Sequence, residues 1–215
     1  EKNIEPVKAP HLLGKMTQAA TRIMKQKSGQ PFFMYLAYNV PRRPFQPRKE
    51  DKDALAHIAD AKRKEYAAMV RGMDWSVGQV LARLKELGLE RDTLIFFASD
   101  NGAPGNPASS GASNAPLSGG KGDLKEGGIR VPFAGHRPAG MPAGVTYQYP
   151  VSCLDIFATA VAAAGVVLPE GLRPDGVNLL PHLAGETSGP PHPAPYWLGA
   201  GGKGSAARVG VLKLW

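Results

Sequence analysis

Apolar residues recur with helical periodicity in two stretches of the chain. Leu12 to Lys27 places apolar side chains three or four positions apart and is followed by Ser28-Gly29, which favours an amphipathic helix that ends there. From Tyr66 to Leu87 the period of 3.6 residues continues for about six turns, and Gly88 follows the last apolar position. Both stretches are therefore predicted to be helices, and the second has the strongest helical pattern in the sequence.

Two other runs are short and almost wholly apolar. Phe32–Tyr38 and Leu94–Ser99 are bounded by turn-forming residues, a pattern typical of strands buried on both faces of a parallel sheet. The turn Glu90–Thr93 joins the long helix to the second run, so helix and strand are predicted to form the second part of a βαβ unit. The pattern predicts the α/β class, with a mostly parallel sheet flanked by helices. The charged segment from Asp51 to Lys64 is predicted to lie on the surface.

A third helix is predicted after residue 152. Ser152 and Asp155 have the spacing of a capping box, and apolar residues then continue one helical face to Gly165. Cys153 lies in the first turn of this helix, where a thiol can be activated. Because no histidine is near it in the sequence, an ordinary packing role is the favoured interpretation.

The C-terminal part of the chain has a different character. Pro and Gly are frequent from Leu168 to Pro195, which predicts a connector. Tyr196–Leu198 and Val209–Trp215 are predicted to be two strands of a small antiparallel unit. We therefore expect an α/β domain over residues 1–185 and the start of a small C-terminal subdomain over residues 186–215.

Composition and charge narrow the possible partners. The 215 residues have an apolar share of 43%, ordinary for a soluble globular protein, and 26 basic against 18 acidic residues give a formal charge of +8. This charge favours acidic ligands. Nucleic acid is disfavoured as a partner, because no basic helix, zinc-knuckle spacing or aromatic RNA-binding signature accompanies the positive charge. No apolar stretch approaches the roughly twenty residues of a membrane span. The single cysteine excludes an internal disulfide framework.

Polar residues follow directly after the second predicted strand. Asp100 and Asn101 would leave the sheet at its carboxyl edge, where open α/β sheets bind ligands. Both side chains offer oxygen ligands, which suit a hard cation such as Ca²⁺. Lys121 stands among three glycines, where backbone and ammonium can approach a bound anion closely. A cation site and an anion site on one loop unit suggest hydrolysis of an acidic ester.

Arg42 and Arg43 lie in a second basic region. The loop Asn39–Pro47 contains three prolines, so it is predicted to be stiff and to follow the first predicted strand. This position would bring two guanidinium groups near the proposed site. From the spacing alone, a solvated basic loop is the slightly favoured interpretation.

Two glycine-rich segments are weak matches to nucleotide-binding motifs. Gly199–Gly204 fits a dinucleotide fingerprint, but the expected strand, helix and acidic residue are missing around it, so a glycine hairpin is predicted. Lys121 fails the P-loop pattern because Gly122 stands where Ser or Thr is required.

Taken together, the segments resemble the sulfatase family, the arylsulfatase-like members of the alkaline phosphatase superfamily. The resemblance runs through most of the chain, and its most specific motifs, in order, are Ser99-Asp-Asn-Gly102, Gly119-Gly-Lys-Gly122 and Glu126-Gly-Gly-Ile-Arg-Val-Pro132. It implies an alkaline-phosphatase-like fold, with residues 1–185 as the C-terminal part of the catalytic domain. It also implies hydrolysis of sulfate monoesters by a formylglycine made from cysteine, with Ca²⁺ and basic residues stabilising the charge.

The resemblance also implies roles for individual residues. Asp100 and Asn101 look like two of the calcium ligands, and Lys121 looks like the lysine that binds the sulfate group. The family usually has Pro-His-X-Pro where this chain has Pro41-Arg-Arg-Pro44, so Arg42 occupies the place of a histidine that handles the leaving oxygen. Arginine keeps the positive charge but does not give up a proton near neutral pH.

The sequence departs from the family at the nucleophile. The motif Cys-X-Pro-Ser-Arg is absent, since Cys153 is followed by Leu-Asp-Ile. The family has this motif well before the matched region, so the chain resembles the C-terminal portion of such an enzyme. Asp100 and Asn101 offer at most about three of the six to eight oxygens that calcium takes. We therefore expect this chain alone to be inactive, and marginally stable because its strands lack neighbours.

Two further hypotheses stay open. One is a phosphodiesterase or phosphonate hydrolase of the same superfamily, because phosphate and sulfate present similar tetrahedral oxyanions. The other is a non-catalytic module that binds polyanions through Arg42, Arg43, Lys121 and Arg130. The expected ligand is a sulfated small molecule or glycan, with neither nucleic acid nor a membrane as partner. By the family resemblance, the location is periplasmic, secreted or lysosomal.

Overall fold

The computed structural model describes residues 12–106, 110–202 and 204–215. The chain divides into two compact units. The first continues to Glu90 and also contains Asn106–Ser113, and the second comprises Arg91–Gly105 and Asn114–Trp215. The chain therefore leaves the first unit after Glu90 and returns to it once.

The first unit contains three helices whose bounds the structure describes. They are α1 (Leu12–Lys27), α2 (Lys49–Asp53) and α3 (Ala61–Glu86). Helices α1 and α3 pack together through apolar side chains at helical spacing, whose buried members are Leu13, Ala20, Met24, Ala68, Met69 and Leu84. The buried hydroxyls of Thr17 and Ser76 bond to each other at 2.5 Å, so these two polar groups of the interface are paired.

Both helical predictions for this unit are confirmed. Helix α1 has the predicted bounds. Helix α3 begins before Tyr66 because the Asp60 side chain caps it, accepting a hydrogen bond from the backbone nitrogen of Arg63 at 2.6 Å. The left-handed φ of +68° at Gly88 follows its end. Helix α3 has 26 residues, yet within the described ranges no helix is both long and apolar enough to cross a membrane.

A buried charge corrects the prediction for Asp51–Lys64. Asp51 is only 2% exposed and accepts hydrogen bonds from Nε and Nη2 of Arg48 at 2.6 and 2.9 Å. Nε of Arg71 lies 3.4 Å from the same carboxylate, and the Arg48 guanidinium lies 3.9 Å from the centre of the Trp75 ring. The charge pattern predicted a solvated segment, whereas these guanidinium groups allow one of its carboxylates to be buried.

The first predicted strand is not a strand in the structure. Residues 31–39 form no regular secondary structure and pair with none of the described strands. Its side chains alternate between half-buried and exposed, and Phe33 and Tyr35 are 79% and 81% exposed. The apolar run predicted burial on both faces. Here one face is half-buried, and none of the strands in the described ranges completes the hydrogen-bonded ladder that defines a strand.

The second predicted strand is confirmed as β1 (Ile95–Ala98), which pairs antiparallel with β2 (Phe133–His136). Burial on both faces is not observed, since Phe97 is 37% exposed. Every pairing among the described strands is antiparallel. The expected parallel pairing is not formed by these strands, because the segment 31–39 stays unpaired and β2 runs opposite to β1.

The described part of the second unit contains three short α-helices, α4 (Glu126–Ile129), α5 (Asp155–Ala163) and α6 (Leu180–Leu183). Only half of the capping box predicted for α5 is present: the backbone nitrogen of Ser152 donates to Oδ2 of Asp155 at 2.7 Å, but the helix begins later than predicted, and Leu154, which precedes its first residue, makes no side-chain capping hydrogen bond. The fully buried Asp155 carboxylate also accepts from the Val177 nitrogen at 2.9 Å and lies 2.8 Å from Nε2 of His192. One buried carboxylate at the start of α5 therefore holds Val177 and His192, two residues distant in sequence, against the helix.

The C-terminal segment forms a small antiparallel sheet of three strands, β3 (Tyr196–Leu198), β4 (Ser205–Val209) and β5 (Leu212–Leu214). The predicted antiparallel unit is confirmed, and β4 is an additional strand. The predicted glycine hairpin joins β3 to β4, where the Gly199 nitrogen donates to the Gly204 oxygen at 2.9 Å. The glycine motif is therefore a hairpin turn.

Candidate functional site

The two predicted cation ligands lie at the C-terminal end of β1. The Ser99 hydroxyl donates to the Asn101 carbonyl at 3.0 Å and shapes the turn after the strand. Nδ2 of Asn101 donates to the Gly102 carbonyl at 2.9 Å, so its amide oxygen is the atom suited to a cation. Asp100 is exposed. Two oxygen-bearing side chains therefore leave the strand where the sequence places them.

Four glycines hold the chain that follows. Gly102, Gly120, Gly127 and Gly128, here called the glycine cluster, bring three segments into backbone contact. A Cβ on Gly102 would lie 1.7 Å from the Gly127 carbonyl oxygen, and one on Gly120 would lie 2.5 Å from that of Ala103. Glycine is therefore required here because any side chain would displace neighbouring backbone.

Lys121 is attached to this cluster by its backbone. It follows Gly120, and its N–H donates to the Ala103 carbonyl at 2.9 Å. Gly119 and Gly122 have φ of +80° and +91°, so the chain turns sharply on both sides of the lysine. The Lys121 residue is exposed. The lysine is thus tied to the loop that follows the two candidate cation ligands.

Asn114 is a residue of this region that the sequence analysis missed. Its side chain accepts from the Ala103 nitrogen at 2.9 Å and donates to the Ala103 and Gly119 carbonyls at 2.8 and 3.1 Å. This amide therefore anchors the chain at Ala103 and at Gly119. An Asn in a loop rich in Gly, Ser and Pro is the available signal, because its side chain readily bonds to backbone.

Glu126, the first residue of α4, is held by positive side chains. Nζ of Lys213 lies 2.8 Å from Oε1, while Nη2 of Arg208 and Nη1 of Arg130 lie 3.4 and 3.9 Å from Oε2. Burial raises the pKa of the Glu126 carboxyl, but the hydrogen bond and charge of Lys213, with Arg208 and Arg130, outweigh it and lower the pKa. Lys213 is 87 positions away, so sequence spacing could not pair the two.

Arg42 and Arg43 belong to the first unit, whereas Asp100, Asn101 and Lys121 belong to the second. Both arginines are exposed, and the Arg43 guanidinium lies 5.7 Å from the centre of the Phe45 ring. The expected proximity of Arg42 to the candidate ligands stays a prediction.

Cys153 is exposed and precedes the first residue of α5, so neither the predicted position in the first turn of the helix nor the favoured packing role is observed. Its Sγ lies 3.9 Å from the Ser99 carbonyl oxygen. Partial burial of the thiol raises its pKa, and the carboxylates of Asp155 and Asp100 raise it further. A raised pKa lowers the thiolate fraction near neutral pH, which opposes a nucleophilic role for this cysteine.

The donor types at the end of β1 suit calcium, but the set is small. In the part of the chain that the structure describes, no three His, Cys, Asp or Glu side chains are grouped so as to hold a metal ion. Asp100 and Asn101 supply oxygen atoms, which calcium prefers, whereas a calcium site takes about six to eight. These two residues would therefore form one part of a calcium site.

Comparison with known proteins connects this site to a family. Residues 8–166 match the family model described as sulfatase. The chain belongs to the sulfatase family. It is 36% identical over 193 residues to the steryl-sulfatase of Homo sapiens, a match that covers 87% of this chain and 32% of that protein. It is 37% identical to Ps i-CgsB, solved in complex with k-i-k-neocarrahexaose, with a TM-score of 0.84 over 92% of this chain and 44% of that one.

The structural likeness confirms the predicted alkaline-phosphatase-like fold of this sulfatase chain. A likeness of fold alone extends to the phosphonate monoester hydrolase SpPMH from Silicibacter pomeroyi, with a TM-score of 0.64 and 21% identity over 86% of this chain and 44% of that one. The chain spans about a third of the human relative and less than half of Ps i-CgsB.

Proposed function

We propose that the complete protein hydrolyses sulfate monoesters of a small molecule or glycan with the help of calcium. The main support is the backbone connection between Asp100, Asn101 and Lys121. A turn with two oxygen ligands is hydrogen-bonded, through Ala103, to a turn that carries an exposed ammonium. Hydrolysis of a charged ester needs a cation site and an anion-binding group held close together. Membership of the sulfatase family makes sulfate the expected group.

Each residue then has a chemical role. Asp100 and Asn101 would hold Ca²⁺ through their side-chain oxygens, together with ligands from other parts of the protein. Calcium, when bound, neutralises charge on the ester oxygens. The Lys121 ammonium would pair with a sulfate oxygen, as a compact charge on a flexible stem can. Arg42 would stabilise the leaving oxygen by its charge, but a guanidinium does not donate a proton near neutral pH.

The nucleophile is proposed to lie outside these 215 residues. Cys153 lacks the Pro-Ser-Arg sequence that follows the family's nucleophile, and its raised thiol pKa opposes activation. By the family resemblance the nucleophile is a formylglycine. We therefore propose that this chain by itself does not turn over sulfate esters.

Turnover by the protein expressed from its full coding sequence tests the proposal. We expect hydrolysis of an aryl sulfate that a chelator abolishes and added Ca²⁺ restores. Lys121→Ala should lower kcat/KM about 100-fold, as the loss of one charge-stabilising group does. Lys85→Ala, which removes an exposed lysine on α3, should leave kcat/KM unchanged.

Two outcomes would replace this proposal with another. Hydrolysis of phosphonate monoesters without hydrolysis of sulfate esters would favour the related hydrolase, whose fold is shared. Saturable binding of sulfated glycans without turnover of any ester, weakened by salt, would favour a polyanion-binding module.

A further inference from the structure

The C-terminal sheet contacts the segment 126–128 through one carboxylate. Nζ of Lys213 on β5 lies 2.8 Å from Oε1 of Glu126, and Nη2 of Arg208 on β4 lies 3.4 Å from Oε2. The Lys213 side chain is only 5% exposed and lies 5.4 Å and 5.7 Å from the ring centres of Trp197 and Trp215. A buried ammonium is costly unless it is paired, so this geometry fixes both partners of the pair.

The same carboxylate belongs to the segment that closes the glycine cluster. Glu126 is followed directly by Gly127 and Gly128, two of its four members. The Gly127 nitrogen donates to the Ser118 carbonyl at 2.7 Å, and the Gly128 carbonyl accepts from the Gly102 nitrogen at 2.9 Å. Gly127 and Gly128 have no side chains, so the Glu126 side chain is the one that can fix this segment from outside the cluster.

The cluster glycines that this segment contacts are joined by peptide bonds to candidate ligands. Gly102 directly follows Asn101 and Asp100, and Gly120 directly precedes Lys121. A shift of the segment 126–128 would therefore displace both the Asp100–Asn101 turn and Lys121, because the backbone atoms of the cluster are packed too closely to move independently.

We propose that the Glu126–Lys213 ion pair is a positioning contact. Through it, the C-terminal sheet keeps the candidate cation ligands Asp100 and Asn101 in a fixed position relative to Lys121, the anion-binding lysine. Neither residue contacts the substrate in this role, which rests on the proposed function. The pair acts by setting the backbone of the glycine cluster. Precise placement of metal ligands depends on such supporting contacts, and their loss typically weakens metal binding about 10-fold to 100-fold.

The test uses the protein expressed from its full coding sequence and four variants. Glu126→Gln and Lys213→Met break the pair, and Lys213→Arg keeps its charge. Glu86→Gln, which breaks the exposed Arg83–Glu86 pair on α3, is the matched control. Hydrogen–deuterium exchange is followed in peptides covering residues 99–105 and 117–123, and the dissociation constant for Ca²⁺ and kcat and KM for an aryl sulfate are measured alongside.

We expect Glu126→Gln and Lys213→Met to speed exchange in both peptides about tenfold and to raise the dissociation constant for Ca²⁺ about tenfold. Lys213→Arg should recover most of both losses, and Glu86→Gln should change neither. The double variant Glu126→Gln/Lys213→Met should be no worse than the more impaired single variant, because both changes remove one interaction.

Two results would overturn the inference. One is unchanged exchange at residues 99–105 and 117–123 in a folded Glu126→Gln protein. The other is an equal increase in peptides from α5, which would mean general destabilisation. If Lys213→Met does not fold, Glu126→Gln and Lys213→Arg still decide between these results. A wild-type protein without calcium binding or turnover would refute the proposed function, while the exchange data would still decide whether the pair sets the cluster.

Discussion

At the scale of single residues, the surroundings divide the aspartates into two kinds. Asp51 is buried and its oxygens are occupied by Arg48 and Arg71, whereas Asp100 is exposed at the end of a strand. A carboxylate whose hydrogen bonds are made inside the protein supports folding, while one that faces solvent can take a ligand. Substitutions at the two positions should therefore affect different properties.

Replacement of the buried carboxylate should affect stability. Asp51→Ala should lower the free energy of unfolding by about 3 kcal/mol, because it leaves the half-buried Arg48 guanidinium without its main partner. Asp53→Ala, in the same helix but in an exposed pair with Lys49, should change little. Urea denaturation of both variants gives the comparison, and equal losses would refute the distinction.

Replacement of the exposed carboxylate should affect calcium binding. Asp100→Ala should weaken binding of Ca²⁺ to the complete protein at least about tenfold, because it removes a charged ligand, while the melting temperature without calcium stays unchanged. Asp74→Ala, which removes an exposed aspartate on α3, is the control. Isothermal titration measures both. An unchanged dissociation constant for Asp100→Ala would remove this residue from the site.

At the scale of elements, the candidate site is a set of turns held by backbone contacts. The turn after β1, the turn around Lys121 and the start of α4 meet at the glycine cluster, and Asn114 bonds to two of these segments. Such an arrangement tolerates few substitutions, because the contacts are between main-chain atoms that cannot repack.

Glycine substitutions test this view of the cluster. Gly120→Ala should destabilise the protein by about 2 kcal/mol, since its Cβ would lie 2.5 Å from the Ala103 oxygen and 2.7 Å from the Gly105 nitrogen. Gly78→Ala, on α3 with no atom within 4 Å, should stabilise it by about 1 kcal/mol. Thermal or urea unfolding measures both signs, and a stable Gly120→Ala protein would contradict the packing argument.

The Glu126 contact predicts that the stability of the folded protein depends on pH. The pKa of Glu126 is lower in the folded chain than in the unfolded chain, so its stabilising contribution is complete above the unfolded value of about 4.3 and is lost as pH falls through the folded value. The stability difference between wild type and Glu126→Gln should therefore be constant from pH 7 to about 5 and shrink below about 4. A difference that persists unchanged at pH 3 would contradict this.

At the scale of the whole molecule, large apolar side chains remain uncovered in both units. Phe33 and Tyr35 are exposed in the first, and Leu198, Leu214 and Trp215 on the C-terminal sheet are 75%, 78% and 71% exposed in the second. Exposed apolar surface of this kind marks sites that other protein surface normally covers.

The isolated chain should therefore bind a hydrophobic dye and unfold easily. We expect strong fluorescence enhancement of an anilinonaphthalene sulfonate dye and a broad thermal transition, because the exposed apolar surface contributes nothing to folding. The protein expressed from its full coding sequence, measured in parallel, should bind less dye per chain. A sharp transition with no dye binding in the isolated chain would contradict this expectation.

Local information in the sequence determined the helices and the family. Periodic apolar residues specify α1 and α3, and the Ser152/Asp155 spacing indicates α5 although the helix begins only at Asp155, because helical and capping contacts join residues only a few positions apart. The motifs around Asp100, Lys121 and Glu126 likewise point to sulfatases without any structure.

The tertiary structure alone decided which polar groups are buried and what holds the site. The burial of Asp51, the unpaired segment 31–39 and the Lys213 contact with Glu126 each depend on groups distant in sequence or on neighbouring strands. Apolar pattern cannot specify these features, because strand pairing and ion pairing are long-range contacts that one stretch of sequence does not encode. Glycine shows the same limit: its presence suggests a close approach, but only the fold shows which backbone approaches it.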